Sequence, residues 1–183
     1  MRDTRIISEI AILVSLAVVL EVVFTGIATF FPVLAMPYGG RVSLSMLPLF
    51  IIVYRHGFKY GIMSGVIYGL LNLLLDGQLY FPWSLPLDYI FAFGAIALGY
   101  AGVLLFGRSF KGFVAVAIIG GLGRFLFHFI SGFALFSVWM PEEFSNIYVY
   151  SLVYNAYYMV PSVILAIIVG KLLFNRLSDQ ELF

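Results

Sequence analysis

The sequence predicts an all-α integral membrane protein, a bundle of six transmembrane helices. Of its 183 residues, 63% are hydrophobic and only 10% are charged, whereas soluble domains carry about 25% charged residues. Several apolar runs reach the roughly 20 residues that a helix needs to cross the hydrocarbon core. The alternation of apolar and polar residues that marks barrel strands is absent. Charges this scarce cannot cover a water-facing surface, so we expect lipid to surround most of a single domain, 1–183.

Six apolar segments are the candidate helices. In order they span 6–31, 42–54, 60–75, 87–106, 112–136 and 148–174. The second and third are short, so we expect them to be tilted or shielded by neighbouring helices. Proline, glycine and charged residues mark the breaks, which lie at 37–40, 55–57, 76–86, 107–108 and 141–143. No small-x-small cleavage site precedes the second segment, so the first is expected to be mature structure rather than a signal peptide.

Basic residues predict which helix ends face the cytoplasm. They lie at the N-terminus, in alternate connections and at the C-terminus: Arg2, Arg5, Arg55, Lys59, Arg108, Lys111, Lys171 and Arg176. The positive-inside rule then places both termini in the cytoplasm. Only Arg41 lies in an opposite connection, and Arg124 lies within a span. The outer connections are therefore 32–41, 76–86 and 137–147.

Composition excludes several kinds of function. The chain has no cysteine, which removes disulfides, thiolate chemistry and cysteine-based metal sites. A net charge of +1 gives no reason to expect nucleic acid. Two histidines and no HExxH pattern make an intramembrane enzyme a poor interpretation. The phosphate-binding run G-x-x-x-x-G-K-[ST] is missing, so any ATP-driven step must come from partners, and we expect no cofactor.

Polar residues within the spans cluster toward the outer side. Ionisable residues inside a membrane span indicate a functional site. Asp88 and Tyr89 open the fourth span, and Arg124, His128 and Gly132 share one face of the fifth. The last span adds polar residues at helical spacing, namely Tyr150, Ser151, Tyr154, Asn155, Tyr157 and Tyr158. Such a set suits a flat, cationic, hydrogen-bonding ligand, because carboxylates and aromatic faces both attract cations.

Each of these residues also has a structural interpretation. His128 could bridge helices by a hydrogen bond. Arg124 could pair with Glu21 or Asp88, since buried charges usually need partners. The tyrosines could form an interfacial belt. Their coincidence at one depth is what favours a ligand pocket open to the outside.

Small residues form two further patterns. Gly57, Gly61, Gly65 and Gly69 recur every four residues along the third span. The first span carries Ser8, Ala11 and Ser15 near its cytoplasmic end. Such stripes allow close helix approach, either within the bundle or to a partner subunit.

Four stretches, in this order, resemble the thiamine-specific S-components (ThiT or YuaJ type) of energy-coupling factor transporters. They are 36–44 (MPYGGRVSL), 87–93 (LDYIFAF), 128–132 (HFISG) and 150–161 (YSLVYNAYYMVP). The resemblance begins at 8–11 (SEIA) and runs nearly end to end. It implies a multi-pass protein of the bacterial cell membrane that captures thiamine from outside. The implied partners are a transmembrane coupling protein and two cytoplasmic ATPases.

The resemblance also implies ligand-binding positions. The family's acidic ligand for the thiamine head falls on Asp88, where some members have Glu. Its histidine, tyrosine and asparagine fall on His128, Tyr150 and Asn155. Gly132 matches a glycine that leaves room for the ligand. The small-residue coupling motif of the first helix becomes Ala11 and Ser15, which are the expected partner-docking positions.

Two tryptophans of some family members are replaced here. One aligns with Phe136, and one in the first outer loop falls around Tyr38 or Gly39. The aromatics available for stacking are Phe136, Trp139, Tyr80 and Trp83. The predicted substrate-binding residues are Asp88, Tyr89, His128, Gly132, Phe136, Tyr150, Asn155, Tyr38 and Trp139. Segment 29–41, with two prolines and two adjacent glycines, is the hypothesised lid.

The predicted function is thus the binding subunit of an ATP-driven thiamine importer. The alternative is a self-sufficient secondary transporter of a small cationic heterocycle. Such transporters typically show inverted repeats and broken helices at the midplane, and no convincing inverted repeat is visible here.

Overall fold

A computed structural model describes residues 2–76 and 79–177. Its six long helical segments are α1 (Arg2–Phe30), α2 (Met46–His56), α3 (Phe58–Asp76), α4 (Leu85–Phe106), α5 (Phe110–Leu135) and α6 (Ile147–Leu177), and short 3₁₀ turns occur in the loops. Five are long and apolar enough to cross a membrane, and α2 is the shorter sixth. The all-α bundle of six helices is therefore confirmed. Gly77, at one predicted break, and the last residues, 178–183, lie outside the described residues.

Helix α2 is the short element, as predicted, whereas α3 is long enough to span. Eight of the eleven α2 residues are buried, so its neighbours shield it from lipid. Segment 42–45, assigned to this span from hydropathy, is not helical. Gly57 ends α2 with a φ of +85°, which glycine adopts without the steric cost of a Cβ. Its N–H donates to Val53 O at 3.0 Å.

The glycines of α3 pack inside the bundle. A Cβ at Gly65 would lie 2.3 Å from Phe93 O, and one at Gly69 would lie 2.1 Å from Tyr89 O. Both carbonyls belong to α4, so the stripe lets the two backbones touch. The bundle-packing interpretation therefore describes this stripe.

Helix α4 is irregular where it receives these contacts. Leu85–Phe91 is wound as a π-helix, and the Ala92 N–H donates to Leu87 O, five residues back. A tighter 3₁₀ turn follows at Ala95–Gly99. Wide turns of this kind occur often at functional sites, and this one carries Asp88.

Helix α1 lies at the edge of the bundle. Its buried face repeats at helical spacing, through Ile10, Val14, Ala17, Glu21 and Ala28. Its N-terminal half, predicted to face the cytoplasm, is tied to α2 by Glu9, whose carboxylate oxygens lie 2.6 Å from Arg55 Nε and 3.2 Å from His56 Nε2. These contacts hold the two helix ends together on the side that carries the basic residues.

Candidate ligand-binding cavity

A cavity of about 120 Å³ lies in the half of the bundle opposite the basic helix ends. Helices α1, α3, α4, α5 and α6 contribute to its walls, together with all three outer loops. All nine predicted binding residues line it: Tyr38, Asp88, Tyr89, His128, Gly132, Phe136, Trp139, Tyr150 and Asn155. Positions distant in sequence are thus brought to one space.

One wall is a chain of hydrogen bonds between α4 and α5. The Asp88 Oδ1 atom lies 3.1 Å from His128 Nδ1, and Ser131 Oγ donates to Asp88 Oδ2 at 2.8 Å. Arg124 Nε donates to His128 Nε2 at 3.2 Å. The spacing of Arg124, His128 and Ser131 puts all three on one face of α5. The carboxylate is therefore held from two sides.

Arg124 differs from the sequence-based alternatives. Its hydrogen bond goes to His128 rather than to Glu21 or Asp88. The Cζ atom of its guanidinium lies 4.2 Å from the centroid of the Phe93 ring, which is cation–π geometry. Arg124 thus reaches Asp88 through the imidazole of His128.

Asn155 ties α6 to this wall. Its Nδ2 donates to Ser151 O at 2.9 Å and to His128 O at 3.3 Å, while its Oδ1 accepts from Tyr158 OH at 2.9 Å. At Gly132, a Cβ would lie 2.1 Å from Ser151 Oγ. The lack of a side chain at Gly132 therefore lets α6 approach α5 closely, and the cavity lies beside this contact.

Aromatic rings close the outer end of the cavity. Tyr38 stacks on Trp139, with ring centroids 5.0 Å apart and planes at 13°. Tyr80 meets both rings edge-on, and Phe136 lies 5.4 Å from Trp139. Of the aromatics considered for stacking, Trp83 is 69% exposed and does not line the cavity. The rings around Trp139 are the ones that a ligand would meet.

The first outer loop is fastened to α6. The Tyr154 hydroxyl donates to Pro37 O and accepts from the Gly40 N–H. The Tyr157 hydroxyl donates to Val33 O at 2.8 Å. The tyrosines of α6 therefore divide their roles, since Tyr150 and Tyr158 line the cavity and Tyr157 only holds the loop.

A second polar cluster lies on the opposite wall, and sequence reasoning missed most of it. The Glu21 carboxylate accepts from Ser43 Oγ at 2.8 Å and lies 3.6 Å from Arg41 Nη1. An acid in the interior of the first apolar segment, away from its ends, is a usable signal for Glu21. Small polar residues give no such signal, because they are common in membrane helices. The cavity residues missed for this reason are Ser43, Asn72, Ser84 and Ser162.

Ser84 stands out among these residues. It is 2% exposed and lines the cavity. Its Oγ has no hydrogen-bond partner within the described residues. A buried hydroxyl without a partner carries a desolvation cost of about 1–3 kcal/mol. Ser84 precedes Asp88 by one helical turn, so its hydroxyl offers an unused polar contact beside the carboxylate.

The two predicted docking residues lie far from this cavity. Ala11 and Ser15 are exposed on α1, in its N-terminal half, together with Ser8. None of the three lines the cavity. Unlike the glycines of α3, these small residues do not pack the bundle.

Comparison with known proteins relates the whole chain to one family. Residues 7–181 match the family model described as "Thiamine transporter protein (Thia_YuaJ)". The chain is 39% identical over 179 residues to the thiamine transporter ThiT of Bacillus subtilis, covering 91% of this chain and 88% of that protein. It is 26% identical over 142 residues to ThiT of Lacticaseibacillus paracasei, covering 70% of each. A solved structure of ThiT from Listeria monocytogenes shares the fold, with a TM-score of 0.78, 23% identity and 98% coverage of both chains.

Proposed function

This chain belongs to the thiamine transporter protein family, and from that membership we propose that it is the high-affinity thiamine-binding subunit of an energy-coupling factor importer. In this proposal it captures thiamine from outside. A transmembrane coupling protein and two cytoplasmic ATPases then complete the transport cycle. The observation that carries the proposal is the cavity itself, in which a held carboxylate faces a cap of stacked aromatic rings.

The chemistry of thiamine suits the two parts of this cavity. Its aminopyrimidine is flat and donates hydrogen bonds, and its thiazolium ring carries a positive charge. Asp88 accepts two hydrogen bonds from the protein, and a carboxylate has about four acceptor sites. It can therefore accept further bonds from the aminopyrimidine. The rings around Trp139 can attract the thiazolium cation by about 0.5–2 kcal/mol per contact.

The nine lining residues are proposed as the substrate-binding set on this basis. Asp88 takes the polar head, with His128 and Asn155 holding the wall around it. Tyr89 and Tyr150 are both buried beside the cavity. Phe136, Tyr38 and Trp139 supply the aromatic cap, and Gly132 provides the space between α5 and α6.

Coupling to ATPases is supported by the surface of α1. The sequence lacks a phosphate-binding loop, so ATP hydrolysis must reside elsewhere. The exposed Ala11 and Ser15 leave a shallow place where another helix can approach closely. This patch lies near the cytoplasmic ends of the helices, where a coupling protein and ATPases would act.

The direct test is calorimetry on the purified chain in detergent. Thiamine should bind tightly, whereas riboflavin and biotin, titrated under the same conditions, should give no binding heat. Titrating thiamine monophosphate and diphosphate would define which form the cavity prefers. A folded chain that binds riboflavin or biotin but not thiamine would contradict the proposal.

A second measurement separates the importer from the secondary transporter. Thiamine uptake is measured in vesicles that contain this chain with and without a coupling protein and its ATPases. The importer requires those partners together with ATP. Concentrative uptake by the chain alone, driven by an ion gradient, would favour the secondary transporter instead.

A further inference from the structure

We propose that Arg124 is a positioning residue that holds His128 as a single neutral tautomer, with the proton on Nδ1, and so keeps Asp88 oriented as a hydrogen-bond acceptor in the cavity. This inference deepens the proposed function and rests on it for the identity of the ligand. The arrangement of the side chains does not depend on that identity.

The argument begins with the guanidinium. An arginine side chain carries only donors, and it stays protonated in proteins. Arg124 Nε lies 3.2 Å from His128 Nε2 in donor geometry. The imidazole nitrogen at the other end of this bond must therefore supply a lone pair. That requirement leaves Nε2 of His128 without a proton.

The second step concerns the other ring nitrogen. A neutral imidazole carries one proton, so a bare Nε2 places that proton on Nδ1. His128 Nδ1 lies 3.1 Å from Asp88 Oδ1, where the proton has an acceptor. The Ser131 hydroxyl donates to the second carboxylate oxygen at 2.8 Å. Each oxygen of Asp88 thus accepts one bond from α5 and keeps acceptor capacity for a ligand.

The other protonation states of His128 fit this geometry poorly. With the proton on Nε2, two donors would face each other at the Arg124 contact, and the Nδ1 lone pair would face the Asp88 carboxylate. A doubly protonated ring would remove the second conflict but would set a cation against the guanidinium. Only the Nδ1-protonated neutral ring satisfies both hydrogen bonds at once.

The guanidinium is itself held in place. Its Cζ lies 4.2 Å from the centroid of Phe93, a residue that is 2% exposed. Phe93 is in turn packed edge-on against Tyr68, with ring centroids 4.8 Å apart. Arg124 is therefore fixed by a buried ring on α4 as well as by its hydrogen bond, as expected of a group that orients another side chain.

The chain offers a clean spectroscopic test because it contains two histidines, His56 and His128. Protein labelled with ¹⁵N-histidine is purified in detergent without ligand, and a His56→Gln variant assigns the signals. Protonated and bare ring nitrogens differ strongly in ¹⁵N chemical shift. We expect the wild-type His128 to show a bare Nε2 and a protonated Nδ1.

Three variants complete the test. Arg124→Met removes the donor, Arg124→Lys keeps a cationic donor, and Lys111→Met removes a charge from the cytoplasmic end of the same helix. We expect Arg124→Met to lose the single tautomer and to weaken thiamine binding about tenfold, as for a lost charge-assisted hydrogen bond. Arg124→Lys should restore the Nδ1-protonated ring and most of the affinity. Lys111→Met should change neither.

The outcomes separate this inference from the proposed function. A wild-type His128 protonated on Nε2, or an unchanged tautomer in Arg124→Met, would overturn the positioning role. The wild-type spectrum decides the question even if Arg124→Met does not fold. A chain with the expected tautomer that binds no thiamine would instead overturn the proposed function, while the arrangement of Arg124 and His128 would stand.

Discussion

At the residue scale, the charged groups around the cavity occur as two neutralised clusters. Asp88 and Arg124 flank His128 on one wall, and Glu21 lies beside Arg41 on the other. Ionised side chains within a membrane are expensive unless they are paired or face a polar cavity. Here they do both. A chain that is only 10% charged therefore places four charged residues around one small space.

Replacing Asp88 by Asn tests the carboxylate directly. The substitution keeps the shape and removes the charge, so we expect thiamine affinity to fall by about one to two decades, from the loss of about 1.5–3 kcal/mol. Calorimetry measures the change. Glu143→Gln is the control, because Glu143 is an exposed acid of the third outer loop that does not line the cavity. A folded Asp88→Asn chain with wild-type affinity would exclude Asp88 from binding.

Ser84→Ala tests the unpartnered hydroxyl. The free protein should lose no stability, because no hydrogen bond within the described residues is broken. If thiamine satisfies this hydroxyl, binding should weaken by about 0.5–1.5 kcal/mol. Thermal unfolding with and without thiamine measures both effects. Ser64→Ala is the matched control, since that buried hydroxyl donates to Gly61 O at 3.1 Å and lies outside the cavity. Equal thiamine affinity in wild type and Ser84→Ala would remove Ser84 from the site.

At the element scale, the first outer loop is held to α6 by hydrogen bonds and contains one residue in a strained backbone conformation. Tyr38 has a φ of +64°, and a non-glycine residue in this region costs about 1–3 kcal/mol unless its surroundings hold it there. The stack on Trp139 and the hydroxyls of Tyr154 and Tyr157 provide that restraint. Such a loop is suited to serve as a lid that opens when its few contacts break.

Tyr157→Phe should loosen the first outer loop, the hypothesised lid, without touching the cavity. It removes the hydrogen bond to Val33 O, worth about 0.5–1.5 kcal/mol, so thiamine should dissociate about two- to tenfold faster. Stopped-flow measurement of tryptophan fluorescence gives the rate. Tyr148→Phe is the control, because the hydroxyl of that exposed tyrosine of α6 makes no hydrogen bond within the described residues, and its backbone bond to Asn146 Oδ1 is unaffected. Identical dissociation rates in the two variants would show that the hydrogen bond from Tyr157 to Val33 O does not hold the loop over the cavity.

Larger side chains at the small residues of α1 and of α3 should have different effects on the stability of the chain. Ala11→Trp places a ring where the proposed partner helix would have to come within about 8–10 Å axis to axis. We expect wild-type thiamine affinity and thermal stability in the isolated chain, with reduced co-purification with a coupling protein. Gly65→Ala should instead destabilise the chain, because its Cβ would lie 2.3 Å from Phe93 O. Leu122→Trp, on the exposed side of α5, controls for bulk alone. Loss of stability in Ala11→Trp would leave only a packing role for that residue.

At the scale of the whole molecule, the charge asymmetry predicts the orientation in the membrane. The chain has no cysteine, so single cysteines can be introduced without background. Val138→Cys lies on the exposed third outer loop and Lys59→Cys at the exposed start of α3. An impermeant maleimide added to intact cells should label position 138 and leave position 59 unlabelled. Labelling at position 59 from outside would reverse the topology.

The sequence alone determined the six helices, their predicted orientation and the family resemblance. Helix length follows from the thickness of the membrane, and hydropathy is a local property that can be read along the chain. The resembling stretches contain seven of the nine predicted positions, and Phe136 and Trp139 lie between the third and fourth stretches. The fold brought all nine around one cavity.

Only the tertiary structure decided which face of each helix packs within the bundle, which lines the cavity and which is exposed. Lipid and protein interior are both apolar, so hydropathy does not separate a packed stripe such as Gly65 and Gly69 from an exposed one such as Ala11 and Ser15. Helical spacing likewise did not show that Tyr157 holds the first outer loop whereas Tyr158 lines the cavity. The bond of His128 to Asp88 and the packing of the Arg124 guanidinium on Phe93 depend on contacts between α4 and α5. Those contacts form where backbones approach within a few ångströms, and such approach is a property of the folded bundle.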